Sequence, residues 1–394
     1  MSVLVRSCNS RTTDWFKRVL DKRAEVAEKT ERVLRMLAEL KLGGLLLSAQ
    51  HNFSWLTAGG INGVDTSREA GVCGLLVRSD GRRFLLANRI EMPRLLAEEV
   101  REEDFEPVEY AWEDEKATPT FLVEHALSLL NGERGVGSDL PVGAQARVVE
   151  SSIARCRYRL TETEIERYRA LGRDAGAAIC EVVENLEPGQ AEQEVARQAS
   201  DALAARGARG VVVLVAADER LEKFRHPVPT NRRWEKVLMI VVCARRGGLI
   251  ASLSRIVCAG AVPQELKRRT RAAALVNARL LQATRPGVTG AQLYEVAARA
   301  YAEEGFRGEE RLHHQGGATG YRTREWVAHP ACEEVVEVNQ AFAWNPSITG
   351  TKVEETCIVS GSGVETITAS PGWPMIRVEE QGQCYALPDV WPLS

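Results

Sequence analysis

The sequence predicts an α+β protein of two domains, and three observations carry that expectation. Up to about Val148, candidate strands alternate with candidate helices, the pattern of an α/β domain with a mixed sheet. In the second half, EPGQAEQEVARQASDALAARGARG (187–210) aligns without gaps on RPGVTGAQLYEVAARAYAEEGFRG (285–308), at a constant offset of 98 residues. After each copy come apolar runs separated by Gly or Pro turns. The second domain is therefore expected to be an antiparallel sheet covered by helices, in two related half-domains with a site at their joint.

Each element has a local reason. Residues 14–41 are charged helix formers with apolar residues at helical spacing. LGGLLLSA reads as a buried strand, and GVCGLLVRSDGRRFLLANR as two strands turning at Ser79-Asp80-Gly81. EMPRLLAEEVREE (91–103) reads as a helix. The domain boundary is expected near CRYRLTETEIERYRA, dividing the chain into 1–158 and 159–394. There Thr161 or Thr163 can cap a long helix, and Thr161-Glu162-Thr163-Glu164 has the capping-box pattern. In both repeats Pro-Gly opens a turn, an amphipathic helix follows, and Gly207 or Gly305 closes it. Residues 237–244 and 249–259 form a hairpin about Arg245-Arg246-Gly247-Gly248. VNQAFAWNPSI and TKVEETCIVSGSGVETIT supply the later strands.

Composition narrows the function classes. A chain of 394 residues with 44% hydrophobic and 27% charged residues is balanced as a soluble globular protein. A net charge of −3 gives no argument for nucleic acid or an anionic membrane. No apolar run approaches the roughly 20 residues of a membrane span, and the first residues lack a secretory apolar segment. Nine cysteines without a C-x-x-C pair read as reduced thiols, so a cytoplasmic location is expected.

The stretch ERLHHQGGATGYRTREW (310–326) asks for a chemical reading. Two adjacent histidines before a glycine-rich run suggest a metal site. GGATG lacks both phosphate-loop spacings and precedes no candidate helix, which argues against a phosphate cradle. An ordinary turn or core role stays open for both histidines, and His51, His125 and His329 are read as structural.

Taken in order, PGQAEQEVA, HPVPT, the hairpin ending SLSRIV, QAFAWNPSI and KVEETCIV resemble the pita-bread fold of creatinase, prolidase, aminopeptidase P and methionine aminopeptidase. LGGLLLSAQHNFSWLTAGG and GLLVRSDGRRFLLANRIE resemble the N-terminal domain of the creatinase and prolidase members. The resemblance implies a dinuclear metal centre with two aspartates, one histidine and two glutamates as ligands. Here Val241 and Ser252 stand at the aspartate positions, Gly317 at the histidine and Asn345 at the first glutamate. Only Glu354 is retained. The expectation is therefore no metal and no cofactor, and an active metal-dependent Xaa-Pro aminopeptidase is disfavoured.

Creatinase and ectoine hydrolase look like metal-free members that cleave C–N bonds, and the histidine of HPVPT, His226, matches the creatinase acid/base position. The resemblance thus implies His226, His313 and Glu354 as catalytic residues converging on one cleft. His314, Ser254, Arg255, Arg324, Glu325, Asn345 and Lys352 are the candidate substrate contacts. Glu354 is expected either to protonate easily and act as a base or to be anchored by Lys352 or an arginine. The expected activity is metal-independent hydrolysis of a small carboxylate-bearing amide, amidine or cyclic amidine. The alternative is a catalytically inactive protein that binds a ligand or peptide. Creatinase-like relatives imply a homodimer, with one subunit's N-terminal domain near its neighbour's cleft.

Overall fold

The computed structural model describes residues 5–130 and 134–393, with side chains from Lys22 onward. Two compact units divide the chain, Met1–Arg157 and Tyr158–Ser394. In the first, the long helix α1 (Val5–Leu40) precedes β1 (Gly44–Ala49) and the short helix α2 (Gln50–Leu56). Strands β2 (Ala70–Arg78) and β3 (Arg83–Asn88) form the expected hairpin, followed by α3 (Met92–Arg94) and β4 (Glu106–Tyr110). Helices α4 (Trp112–Ala117) and α5 (Phe121–Ser128), strands β5 (Val136–Ser138) and β6 (Ala146–Val148), and helix α6 (Glu150–Tyr158) complete it. The sheet order is β4-β3-β2-β1-β5-β6. Its antiparallel centre and parallel flanks make it mixed, as expected.

The helix expected over 91–103 is shorter. A π turn over Leu95–Glu99 follows α3, and Val100 is extended with φ −131°, so the helical register ends there. The eight cysteines whose side chains are described are all unpaired. Among the described residues no helix is long and apolar enough to cross a membrane.

A buried network closes the end of this unit. Glu150 accepts hydrogen bonds from Asn52 (2.9 Å) and Arg157 (2.9 Å) and lies 3.3 Å from His51, while Arg157 also bonds Asn52. Burial pushes the Glu150 carboxyl up, but His51, Arg157 and Asn52 together outweigh it and hold its pKa at about 2. A group depressed in the folded state stabilises above its unfolded value near 4.5 and loses that contribution as pH falls toward 2. Urea unfolding between pH 5 and pH 2.5 should therefore show a loss, up to about 3 kcal/mol from this carboxylate, that is absent in Glu150→Gln.

In the second unit, Thr161 caps α7 (Glu162–Glu184) in a full capping box with Glu164. The repeats then appear as α8 (Glu192–Ala204) and, 98 residues on, α11 (Gly290–Glu303). Their turns match in backbone conformation. Gly189 and Gly287 have φ of +98° and +91°, and Gly207 and Gly305 have +67° and +82°, so glycine is needed at both ends.

Each half-domain opens with two helices and continues into strands. The first runs α7, α8, β7 (Arg209–Ala217), α9 (Arg220–Lys223), β8 (Val237–Arg246) and β9 (Leu249–Ala259). The second runs α10 (Gln264–Ala283), α11, β10 (Gly316–Thr319), β11 (Trp326–Val327), β12 (Ala341–Trp344), β13 (Ser347–Ile348), β14 (Thr351–Lys352), β15 (Glu355–Ser360) and β16 (Gly363–Thr366). Strands β17 (Met375–Glu380), β18 (Gln383–Pro388) and β19 (Val390–Leu393) end the chain, and β19 pairs parallel to β9. The half-domains meet where β9 approaches β15. Ser252 N donates to Thr356 Oγ1 (2.8 Å), and Ser254 forms a bridge with Glu354.

Candidate active site

Strand alternation decides which residues face the site. In the β8–β9 register Val241 lies opposite Ser254 and Cys243 opposite Ser252, so these four share one face. Arg255, one residue on, points to the other face. Its guanidinium is fully buried, pairs with Glu355 at 2.8 Å, and donates to Thr368 O and Ser370 Oγ. Arg255 is therefore not a substrate contact, because that alternation commits it to the core. Ser254 and Glu354 remain on the site side, with Ser254 Oγ donating to Glu354 Oε2 at 2.5 Å.

Glu354 is 2% exposed. Lys352 Nζ is 3.4 Å from Oε2, and Arg324 Nη2 is 3.5 Å from Oε1. Burial alone pushes the Glu354 carboxyl up, yet Lys352, Arg324 and the Ser254 hydroxyl together hold it below the usual carboxylate range. An easily protonated Glu354 is thus not what the structure contains; the anchored alternative is. Two side-chain cations supply the positive charge around the one retained ligand position.

The histidines come together on the more exposed side. His226 Nε2 and His313 Nε2 are 3.1 Å apart, and the rings of His313 and His314 have centroids separated by 4.4 Å. His226 and His314 are exposed, whereas His313 is 8% exposed. Partial desolvation by the surrounding protein lowers all three imidazoles, with Lys352 adding to each, and takes His313 to about 3 and His314 to about 4. The charges of Lys352 and Glu354 act on both His226 and His314, in opposite directions.

Residues the sequence did not single out hold His226 in place. The buried Glu192, at the start of α8, accepts from Thr230 N (2.9 Å), Thr230 Oγ1 (2.7 Å) and Arg220, which pins the loop from 220 to 230. Arg225, next to His226, reaches into the second half-domain to Ser347 Oγ (3.2 Å), Thr349 Oγ1 (3.0 Å) and Glu309. Gln315 does the same for His313. It donates to His313 O and accepts from Tyr301 Oη at 2.7 Å. Thr230 inside HPVPT was a local cue, but nothing near 225 announced a partner at 347.

Two candidate contacts have other placements. Glu325 Oε1 accepts the Tyr321 amide at 3.2 Å and braces the turn after Gly320. Asn345 is buried, its backbone amide donates to Gln315 O at 3.0 Å, and its Oδ1 has no protein partner. Arg324 Nε is also buried without a partner. Such atoms cost roughly 1–3 kcal/mol unless something polar, a water included, meets them. Of the histidines read as structural, His51 joins the Glu150 network, His125 stacks on Phe121 and His329 accepts from Ala331 N.

The family's dinuclear centre does not fit these residues. Val241 is packed in an apolar cluster with Ala216, Leu221, Met239, Ile256 and Leu266. Ser252 is consumed by Thr356 and by Cys243, whose Sγ lies 3.2 Å from its Oγ. At Gly317 even a Cβ would overlap the Trp326 carbonyl oxygen, so β10 has closed over the histidine position. Gly317→Ala should accordingly lower stability by about 1–3 kcal/mol, measured by urea unfolding, by forcing β10 away from β11.

The fold and this ligand pattern can now be set beside known proteins. Residues 166–382, more than half of the chain, match metallopeptidase family M24, and residues 29–170 match the creatinase/prolidase N-terminal domain. The chain belongs to metallopeptidase family M24. Among relatives of this M24 chain, the Xaa-Pro dipeptidase of Pyrococcus furiosus is 23% identical over 231 residues, which is 56% of this chain and 66%, just under two thirds, of the relative. A dipeptidase of Mycobacterium ulcerans superposes with a TM-score of 0.74 at 17% identity, covering 89% of this chain and 97% of the other. The prolidase of Pyrococcus horikoshii gives a TM-score of 0.72 at 18% identity, over 87% and 98%. The pita-bread architecture is thereby established, in an M24 chain related to Xaa-Pro dipeptidases.

Proposed function

We propose that this M24 chain hydrolyses a C–N bond in a small carboxylate-bearing amide, amidine or cyclic amidine, with histidine acid–base chemistry in place of the dinuclear metal. The observation that carries the reading is the His226–His313 pair, 3.1 Å apart, with the charges of Lys352 and Arg324 acting on His226.

Hydrogen bonding assigns the tautomers. His313 Nδ1–H donates to His314 O at 2.5 Å, so His313 Nε2 carries the lone pair. His226 Nε2–H then donates to it, which leaves the His226 Nδ1 lone pair on an exposed ring. In the reaction a water passes a proton to His226 Nδ1 as its hydroxide adds to the electrophilic carbon. The imidazolium is stabilised by its Nε2–H bond to His313. When the C–N bond breaks, nitrogen keeps the electron pair and takes the proton from His226 Nδ1, so the histidine returns to its starting state.

The cations support the choice of substrate class. Lys352 and Arg324 stand 3.4 and 3.5 Å from Glu354, long for charge-assisted hydrogen bonds, so each can share its donors with a substrate carboxylate. Asn345 Oδ1 suits an amide or amidine N–H. The test is a panel of N-acyl, N-carbamoyl, amidino and cyclic-amidine acids, each paired with its decarboxylated analogue, with amine release followed by mass spectrometry. Turnover that requires the carboxylate is expected. Binding of panel members without turnover of any would favour the second reading, a ligand-binding protein. The observation on that side is Glu354, held by Ser254, Lys352 and Arg324 as a structural anchor.

A further inference from the structure

One ring nitrogen from each of His226, His313 and His314 lies within 4.8 Å of the other two. We propose that these three imidazoles form a mononuclear site for a borderline divalent transition metal such as Zn²⁺, separate in ligands and chemistry from the dinuclear carboxylate centre of the family.

The geometry favours it at the tightest pair. Two nitrogens each about 2.0–2.1 Å from one tetrahedral Zn²⁺ are separated by about 3.3 Å, and His226 Nε2 and His313 Nε2 are 3.1 Å apart. His313 is the preset ligand. It is buried, and its Nδ1–H bond to His314 O aims the Nε2 lone pair at the site, the usual backbone support of a metal-bound imidazole. His226 and His314 are exposed, so both rings can close onto an ion arriving from solvent, and a fourth position stays open. An all-imidazole set suits Zn²⁺, Ni²⁺ or Cu²⁺ and discriminates against Mg²⁺ and Mn²⁺, which favour oxygen. Lys352 and Arg324 oppose a dication and Glu354 offsets one of them, so the ion is exchangeable and a chelator removes it.

A consequence follows that does rest on the function proposed above. An ion held by both Nε2 atoms displaces the proton between them, which moves to His226 Nδ1. That nitrogen loses its lone pair and with it the role of base. Zn²⁺ is then an inhibitor of the hydrolase.

The experiment is equilibrium dialysis of the chelator-treated full chain against ZnCl₂ alone. One Zn²⁺ per chain is expected, with affinity at least about tenfold weaker in His226→Ala and in His314→Ala, as loss of a ligand costs no less than loss of its support. His329→Ala should bind like the parent, and Mn²⁺ should not bind. Both substituted ligands are exposed, and circular dichroism checks that the variants fold. Failure to saturate near one ion per chain, or saturation unaffected by both substitutions, overturns the site. If Zn²⁺ binds through these histidines and raises turnover, the site stands and metal-independent hydrolysis falls. If Zn²⁺ does not bind while turnover persists, the site falls and the proposed function stands.

Discussion

Replacing His226 by alanine is expected to lower kcat by about 10²–10⁴-fold, the range for removal of a general acid–base group, with little change in stability. His226 is exposed and donates from Nε2 to His313, so its loss removes the one free imidazole lone pair of the pair without opening a core cavity. Its neighbour Arg225 holds the loop to Ser347 and Thr349 on its own, and Glu192 holds it through Thr230, so the backbone stays in place. Steady-state kinetics on a substrate found with the panel, together with urea unfolding, separates the two effects. Turnover within a few-fold of the parent would remove His226 from the chemistry.

Glu354→Gln is expected to act mainly on stability, by about 3–5 kcal/mol. The carboxylate is buried against Lys352 and Arg324, and Lys352 is itself 6% exposed. Removing the negative charge leaves a buried ammonium without its counter-charge, the costly way to break a buried pair. The loss is a large share of the roughly 5–15 kcal/mol that holds a domain together. The double substitution Glu354→Gln with Lys352→Met should recover most of it, since the stranded charge is then gone, while carboxylate substrates still bind poorly. Equilibrium urea unfolding of the single and double variants reads this directly. A single variant as stable as the parent would mean that the carboxyl is not the counter-ion of Lys352.

The fold was legible where the signals were local or repeated. Thr161 and Glu164 sit three residues apart and cap α7 as their spacing implies. The repeats revealed themselves because turn glycines at positive φ cannot be replaced freely, which kept Gly189, Gly207, Gly287 and Gly305 in register. The helix expected over 91–103 was overestimated because its composition favours helix to the end, whereas the backbone turns extended at Val100.

The site was legible in its residue types and less so in its partners. Ser254-Arg255 and Glu354-Glu355 are each neighbours of opposite fate, and the period-2 alternation of β-structure already separates them. That signal was in the sequence, and it puts Arg255 with Glu355 and Ser254 with Glu354. The same alternation puts Lys352 beside Glu354, but no such rule foretells that Arg225 crosses to Ser347, more than 100 residues away. That contact exists only once the two half-domains are assembled.

The central claim is that an M24 fold retains hydrolysis after its dinuclear centre has been replaced by apolar packing at Val241, a closed strand at Gly317 and fixed cations around Glu354. Its most direct test is turnover of the best panel substrate after exhaustive chelation, with metal content measured on the same sample. Undiminished turnover with less than one Mn, Co or Zn ion per chain is the predicted result. Two tightly bound ions per chain, or activity lost on chelation and restored by Mn²⁺, would contradict it.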